Sequence, residues 1–344
     1  MTTNITCKKM RIQKILNRCL LLLMTAISSV AIQSCEKVVE FDVEDLEQSV
    51  VVNALPCTDS LFFVNITYSR FFLDNKDFTP VDNATVTLDI NSTSTSFTSR
   101  DGANYYFGYN ATAGDTLTLS VDVPGHPTIT GGTRVPALPD MSSPLAELDT
   151  LLPFNTAEIS FTLTDPIGEN YYYIYVMERD SGSRWNDWDK VWDTIDTVRH
   201  AYFNCINKEI TNPEVNSAEG LMDYFTKLLF TDKNIEGAST EVLLSIMMLK
   251  DTAEHPMLHE YTLVVESLSP EAFRYTKDVL NSQGAASYFA EPARIYSNLS
   301  SQIGIFAGIA RRQYPLTFTY KEPTINRMVK TLTPGSASAV QHSR

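Results

Sequence analysis

The stretch DTLTLSVDV, Asp115–Val123, alternates without a break: Leu117, Leu119, Val121 and Val123 fall on one side, with Thr116, Thr118, Ser120 and Asp122 on the other. A period of two with a single apolar face is the pattern of a strand that covers a core and meets water on its back. Turn pairs bracket it, Gly114-Asp115 before and Pro124-Gly125 after. Outward from this stretch the pattern repeats in SVVVNA, LFFVNITYSRF, NATVTLDI, TSFTS, NYYFGYN and PTITGGTRV, short runs rich in Val, Thr, Ile and aromatics. About seven such strands predict a small antiparallel sandwich over residues 49–134, immunoglobulin-like or transthyretin-like in topology.

Residues 135–147, VPALPDMSSPLAE, carry Pro136, Pro139 and Pro144 and read as an interdomain linker. Strand patterning resumes over 148–320, in AEISFTLTD, NYYYIYVMER, EVLLSIMMLK, HEYTLVVESL, ARIYSNL, QIGIFAGIAR and YPLTFTY. This second β-rich domain is expected to hold two inserted helices. One lies near 217–230, with Leu221, Tyr224, Phe225 and Leu228 at helical spacing. The other lies near 270–282, with Ser269 as N-cap, Pro270 at the first helical position, Glu271 in the first turn and Gly284 past the end. The tail, 321–344, is polar and aperiodic and is expected to be flexible. The fold class is therefore mainly β.

The start of the chain has a different composition. Lys8, Lys9, Arg11, Lys14 and Arg18 precede an apolar segment, Cys19–Ile32, of 14 residues, and no acid occurs before residue 35. A span of that length falls short of the roughly 20 residues that cross a bilayer as a helix, so it reads as a cleaved secretory signal over 1–34. Two cleavage readings compete. Ser29–Ala31 suits an ordinary signal peptidase, whereas IQSC, Ile32–Cys35, resembles a bacterial lipobox, with Ile32 where Leu is usual and Gln33 where Ala or Ser is usual. The lipobox reading is preferred, because a cysteine directly after the apolar segment then has a role. Cys35 would become the lipidated first residue, and 35–48 a short acidic tether. The multiple acyl chains of a lipoprotein, at about 0.8 kcal/mol per buried methylene, hold a protein to a membrane where one chain does not.

A mature chain from Cys35 has 310 residues, with 22 Lys plus Arg against 41 Asp plus Glu, a formal charge of −19. That balance argues against nucleic acid and against adsorption on anionic lipid, and suits a solvated acidic coat. After removal of the leader, Cys57 and Cys205 remain besides Cys35. An oxidising envelope permits a bridge between them, and two separately buried thiols are the alternative.

All three tryptophans fall within WNDWDKVW: Trp185, Trp188 and Trp192. Their spacing suits one face of a short helix packed into a core or domain seam. Exposed, the same indoles with acids among them would grip a partner or a glycan. Asp187, Asp189, Asp193 and Asp196 lack the glycine and terminal glutamate of a calcium loop. His255 and His259 stand four apart, a zinc spacing on a helix, but Pro256 between them favours a polar loop. HExxH, GxSxG, GxGxxG and P-loop patterns are absent from the sequence, so no catalytic residue, metal or cofactor is assigned.

Longer stretches carry a family resemblance: SVVVNALP soon after the cysteine, DNATVTL, NYYYIYVMER, YTLVVESLSPEAFRYTKDVL and FAEPARIYSNLSSQIGIFAGIA. Over nearly all of the mature chain the sequence resembles the domain of unknown function 4249 family, lipoproteins of Bacteroidota-type envelopes. It departs from the family at SSQIGIFAG, where a glycine pair usually follows the Asn. The resemblance implies an outer-membrane lipoprotein, often encoded near a TonB-dependent transporter, without assigned catalytic residues. Six Asp-Ser/Thr-aliphatic triplets, at Asp59, Asp115, Asp149, Asp193, Asp196 and Asp251, look like the O-glycosylation signal of such envelopes. They are also ordinary turn chemistry. The expectation is a non-enzymatic, surface-anchored binding or accessory module. A glycan-acting hydrolase and an envelope assembly component are the alternatives.

Overall fold

The computed structural model describes residues 48–70, 76–149, 155–186, 188–207, 210, 226–248, 258–282 and 294–320. The leader, Cys35, most of the acidic tether and the tail from Lys321 lie outside the described residues.

Eight strands follow one another in the N-terminal part: β1 (Val50–Ala54), β2 (Leu61–Tyr68), β3 (Thr85–Ile90), β4 (Thr93–Ser96), β5 (Ser99–Asp101), β6 (Asn104–Asn110), β7 (Thr116–Asp122) and β8 (Ile129–Arg134). The opening stretch is β7, hydrogen-bonded between β3 and β8 in a sheet ordered β4-β3-β7-β8. Leu117, Leu119 and Val121 are wholly buried and the residues between them face outward, as their alternation requires. They meet Val52, Phe62, Val64 and Ile66 of the facing sheet. Each such side chain contributes about 1.5–3 kcal/mol by leaving water.

The remaining elements are β9 (Asp140–Met141), β10 (Leu145–Asp149), β11 (Asn155–Thr164), β12 (Tyr171–Asn186), β13 (Val191–His200), β14 (Phe203–Cys205), β15 (Leu228–Thr231), β16 (Ser239–Met248), β17 (Leu258–Leu268), helix α1 (Pro270–Ser282), β18 (Gly304–Phe306), β19 (Ile309–Pro315) and β20 (Phe318–Tyr320). Two sheets face each other, β14-β16-β11-β10-β20 with β9 added to β11, and β13-β12-β17-β19 with β15 added to β12. Ile159, Phe161, Leu163, Val242, Leu244 and Ile246 of the first pack on Tyr172, Ile174, Val176, Leu263 and Val265 of the second. The class is mainly β and sandwich-like throughout.

Three expectations change. The 135–147 segment includes β9 and the start of β10, because its residues pair with β11. Of the helix expected near 217–230, Leu228–Phe230 belong to β15, all three fully buried, and 217–225 lie outside the described residues. Alternate residues of that run feed different clusters, Leu228 and Phe230 one and Leu229 another, which a strand permits. Arg294–Leu299, expected as a strand, joins no ladder. The Asn298 side chain substitutes for one, donating to the carbonyls of Gly132 and Phe306 and accepting from the Phe306 N–H. Helix α1 stands where its Ser-Pro-Glu start predicted, with Ser269 Oγ accepting from the Ala272 N–H. No helix among the described residues is long and apolar enough to cross a membrane.

The chain then returns to its beginning. β18 pairs in parallel with β1, extending the first sheet to β18-β1-β2-β6-β5. Gly304 opens β18 at φ 87°, where a Cβ would lie 1.9 Å from the Val52 carbonyl oxygen, so only glycine fits. A third cluster, including Cys57, Tyr171, Leu268, Phe273 and Ile309, lies where α1, β17 and β19 meet the first sheet.

Candidate functional site

β12 is the longest strand, and its two halves have different neighbours. From Tyr172 to Ser181 it pairs with β17, and from Met177 to Asn186 with β13. Beyond Ser181 the β12–β13 hairpin has no third strand among the described residues and runs on as a two-stranded arm. Such a ribbon is marginal alone in water.

Two features steady the arm. The first is aromatic: Trp185 stands opposite Trp192 with ring centroids 5.5 Å apart at 60°. The Ala201 N–H donates to the Val176 carbonyl at 2.8 Å, which makes that row a hydrogen-bonded pair. Counting by twos along the ladder, Trp185 and Trp192 occupy a non-hydrogen-bonded row, the kind whose side chains approach most closely. At the tip the Lys190 N–H donates to the Asn186 carbonyl, and the Asn186 amide donates to Asp189 and Asp193 at 3.1 and 2.9 Å. Trp188 is left 95 % exposed, with Trp185 and Trp192 each nearly half exposed.

The second feature is a grid of charged side chains at the arm's root. Glu178 and Asp180 follow Tyr172, Ile174 and Val176 on the inner face of β12, and both are buried. Across the ladders Glu178 is flanked by Arg199 and Tyr261, and Asp180 by Thr197 and His259. Arg199 donates from Nε to Glu178 at 3.0 Å, and its Nη2 lies 3.0 Å from Asp180. The Tyr261 hydroxyl donates to the second Glu178 oxygen at 2.6 Å, and His259 Nδ1 lies 2.5 Å from the second Asp180 oxygen. The hydrogen bond to Glu178, with both nearby carboxylates, raises the Arg199 pKa. Burial, then the bond to Glu178, raises that of Tyr261. On the outer face Arg179 makes a two-pronged contact with Asp196 at 2.9 and 3.0 Å, which holds that carboxyl below its usual range.

The donor atoms of Glu178, Asp180 and His259 lie within 4.8 Å of one another, close enough to surround a metal ion. All four carboxylate oxygens, however, already meet a protein group. A cation would have to displace Arg199 and the His259 Nδ1 proton. The grid is a closed ion network that fixes β12, β13 and β17 to one another.

The tryptophans predicted as a site are thus brought together on an exposed hairpin, which replaces the helix their spacing suggested. His259 lies in β17 rather than in a loop, and His255 lies outside the described residues. Asp189, Asp193 and Asp196 line the arm at separate points, and Asp187 lies outside the described residues. Cys57 and Cys205 are both buried thiols in different clusters, with no bridge between them. Burial and the hydrogen bond it donates to Asp59 push the Cys57 thiol up to about 11. Of the triplet hydroxyls, Ser60, Thr116, Thr194 and Thr197 are exposed, and Thr150 and Thr252 lie outside the described residues. The grid itself escaped sequence reasoning; its only signal was two acids two apart in an otherwise apolar strand.

Fold and site together define a class: a β protein of paired sheets, closed by a returning C-terminal strand, that presents an aromatic arm from a buried ionic root. The chain belongs to the family described as domain of unknown function (DUF4249), whose model matches residues 36–314. No match to the chain was found among curated proteins.

Proposed function

We propose that this protein is a non-enzymatic outer-membrane lipoprotein, anchored through Cys35 at the cell surface, that serves as a binding or accessory module of a TonB-dependent transporter. An immunoglobulin-like or transthyretin-like N-terminal sandwich would hold the second β unit above the membrane. One observation carries the binding role: Trp185, Trp188 and Trp192 stand exposed on an arm whose root is fixed by the Glu178–Asp180–Arg199–His259 network. Exposed indoles on a rigid support give large contact area at little entropic cost. Among the described residues, Asp189 and Asp193 of the same hairpin share the Asn186 amide on an open ribbon, which suits contact better than hydrolysis of a glycan. The anchor and the transporter association draw on the IQSC sequence and the family resemblance.

The test is capture of the tagged full chain from detergent-solubilised membranes. The wild type should recover an outer-membrane barrel protein, and a Trp185→Ala/Trp188→Ala/Trp192→Ala variant should recover much less. Repeated recovery of no barrel protein overturns the accessory role.

A further inference from the structure

At the end of β12 opposite the aromatic arm lies a hollow of about 420 Å³, bordered by the β6–β7 loop, the end of β8, the start of β12 and the β17–α1 junction. That size suits a small molecule. Ala113, Pro136, Ala137 and Leu268 are its apolar lining. Most polar groups along it are already matched. The N–H groups of Gly114, Val135 and Ser269 donate to the carbonyls of Val135, Asp115 and Gly308, and that of Asn170 donates to Asp232. The Asn170 amide nitrogen serves Asp232 and the carbonyls of Pro166 and Gly168, and Ser269 Oγ accepts from the Ala272 N–H. Two donors are left over. Ser267 follows Leu263 and Val265 on the inner face of β17, and the hollow borders it where that strand ends. Its Oγ is, among the described residues, the one buried side-chain polar atom with no hydrogen-bond partner. Leaving a buried hydroxyl unpaired costs stability, so a partner from outside the chain is called for. The second donor is the exposed Arg134 guanidinium, which meets no carboxylate or carbonyl among the described residues. Two acceptors remain at the start of β12, the exposed Glu169 carboxylate with the Tyr171 hydroxyl beside it, and Asn170 Oδ1.

We propose that this hollow is a binding site for a small zwitterion of the α-amino-acid class, its carboxylate taken by Arg134 and Ser267 and its ammonium by Glu169 and the Asn170 side-chain oxygen. Charge selects the occupant. A simple anion would satisfy Arg134 and be opposed by Glu169, and a simple cation would meet the reverse. A neutral polyol would leave both ions without a counter-charge. A ligand with both charges matches both, and a guanidinium with a hydroxyl beside it gives a carboxylate charge-assisted hydrogen bonds. The apolar lining then takes an aliphatic side chain. The helix start adds nothing of its own, because Pro270 has no N–H and the Ser269 cap is already used. This site is separate from the aromatic arm and does not depend on the role proposed for it.

The probe is L-leucine, titrated calorimetrically into the full-length chain. Two analogues each delete one charge: 4-methylpentanoate lacks the ammonium, and 3-methylbutylamine lacks the carboxylate. Leucine should bind with a Kd of about 1 mM or tighter, and each analogue at least about tenfold more weakly. Arg134→Gln should weaken leucine by about tenfold and leave the amine as it was, and Glu169→Gln should weaken leucine without weakening 4-methylpentanoate. Both side chains are exposed, so neither variant threatens the fold. Ser267→Ala should weaken leucine by a similar factor without lowering the melting temperature of the ligand-free protein, because the hydroxyl it removes has no partner to lose. A leucine Kd weaker than about 1 mM, equal binding of either analogue, or unchanged affinity in Arg134→Gln overturns the assignment. So does wild-type affinity in Ser267→Ala, since the hydroxyl then serves a buried water alone. The Trp185→Ala/Trp188→Ala/Trp192→Ala variant should bind leucine as the wild type does; loss of binding there would place the ligand on the arm and overturn this site, whatever the membrane capture shows.

Discussion

His259 Nδ1 and Asp180 Oδ1 lie 2.5 Å apart across the ladder of β12 and β17, joining residues 79 positions apart in the chain. An ionised carboxylate only accepts, so Nδ1 is the protonated nitrogen. This contact, the Tyr261 hydroxyl and the two arms of Arg199 together give every oxygen of two buried carboxylates a partner.

Removing one partner from such a network is worse than never having built it, because the charges left behind stay buried. Arg199→Met should destabilise the protein by about 3 kcal/mol, the lower end of the range for a broken buried pair, since the guanidinium is itself half exposed. Adding Glu178→Gln and Asp180→Asn should recover much of the loss. Urea unfolding of the three proteins measures this; equal stability of wild type and Arg199→Met would mean that the grid fastens nothing.

The cross-strand indole pair makes a different and more local demand. Trp185→Ala should cost about 1 kcal/mol, felt in the arm alone. Amide exchange over residues 182–191 should quicken, and exchange in β17 should not. Trp188→Ala, which alters only the exposed tip, should leave both unchanged; faster exchange there would give Trp188 a structural role.

Where one face of a strand is buried and the other wet, the pattern is legible from composition alone, and β7 is the clearest instance. Helix α1 was legible for another reason, since Ser269, Pro270 and Glu271 each do a job that only a helix start requires. The arm was not legible. Trp185, Trp188 and Trp192 repeat at three and four residues, which imitates a helix, while β13 is exposed on both faces and leaves no alternation to read. Glu178 and Asp180 sit on the core face of β12, but a carboxylate in sequence reads as a surface residue. Only the register of three strands shows that Arg199 and His259 come to meet them.

One position in the return of the chain to β1 admits only glycine. Gly304→Ala would place a methyl group against the Val52 carbonyl at a φ that L-residues rarely adopt, and the backbone contact leaves no flexible side chain to yield. A loss of about 3 kcal/mol or more is expected. Circular dichroism melting checks it. Gly125→Ala serves as the reference, because it shares a positive φ, 85°, without any atom near its Cβ, and so should cost distinctly less.

The two thiols give a chemical check on the core. Both are buried, and burial raises the Cys57 pKa to about 11, so little thiolate exists near neutral pH. Iodoacetamide should label neither in the native protein and both after denaturation without reductant, read by mass. Failure to label Cys57 and Cys205 in the denatured, unreduced chain would reveal a bridge between them. Reductant should leave the melting temperature unchanged.

His200 ends β13 with its ring edge-on to Tyr175, centroids 5.1 Å apart. Burial, with Lys227 nearby, lowers its pKa below 6.5. Between the folded value and 6.5 the unfolded chain therefore binds more protons than the folded one, and stability must fall as pH falls through that window. Above it the imidazole is neutral in both states and contributes no slope. The lowered carboxyls Asp59, Asp115 and Asp196 act below 3.8, whereas Asp232, raised by burial, acts above 3.8 with the opposite sign and is common to both proteins compared. Melting temperatures taken from about pH 7 to about pH 5 should decline in the wild type and decline less in His200→Phe, which keeps the ring contact and loses the proton. Parallel curves for the two proteins would place the acid sensitivity elsewhere in the fold.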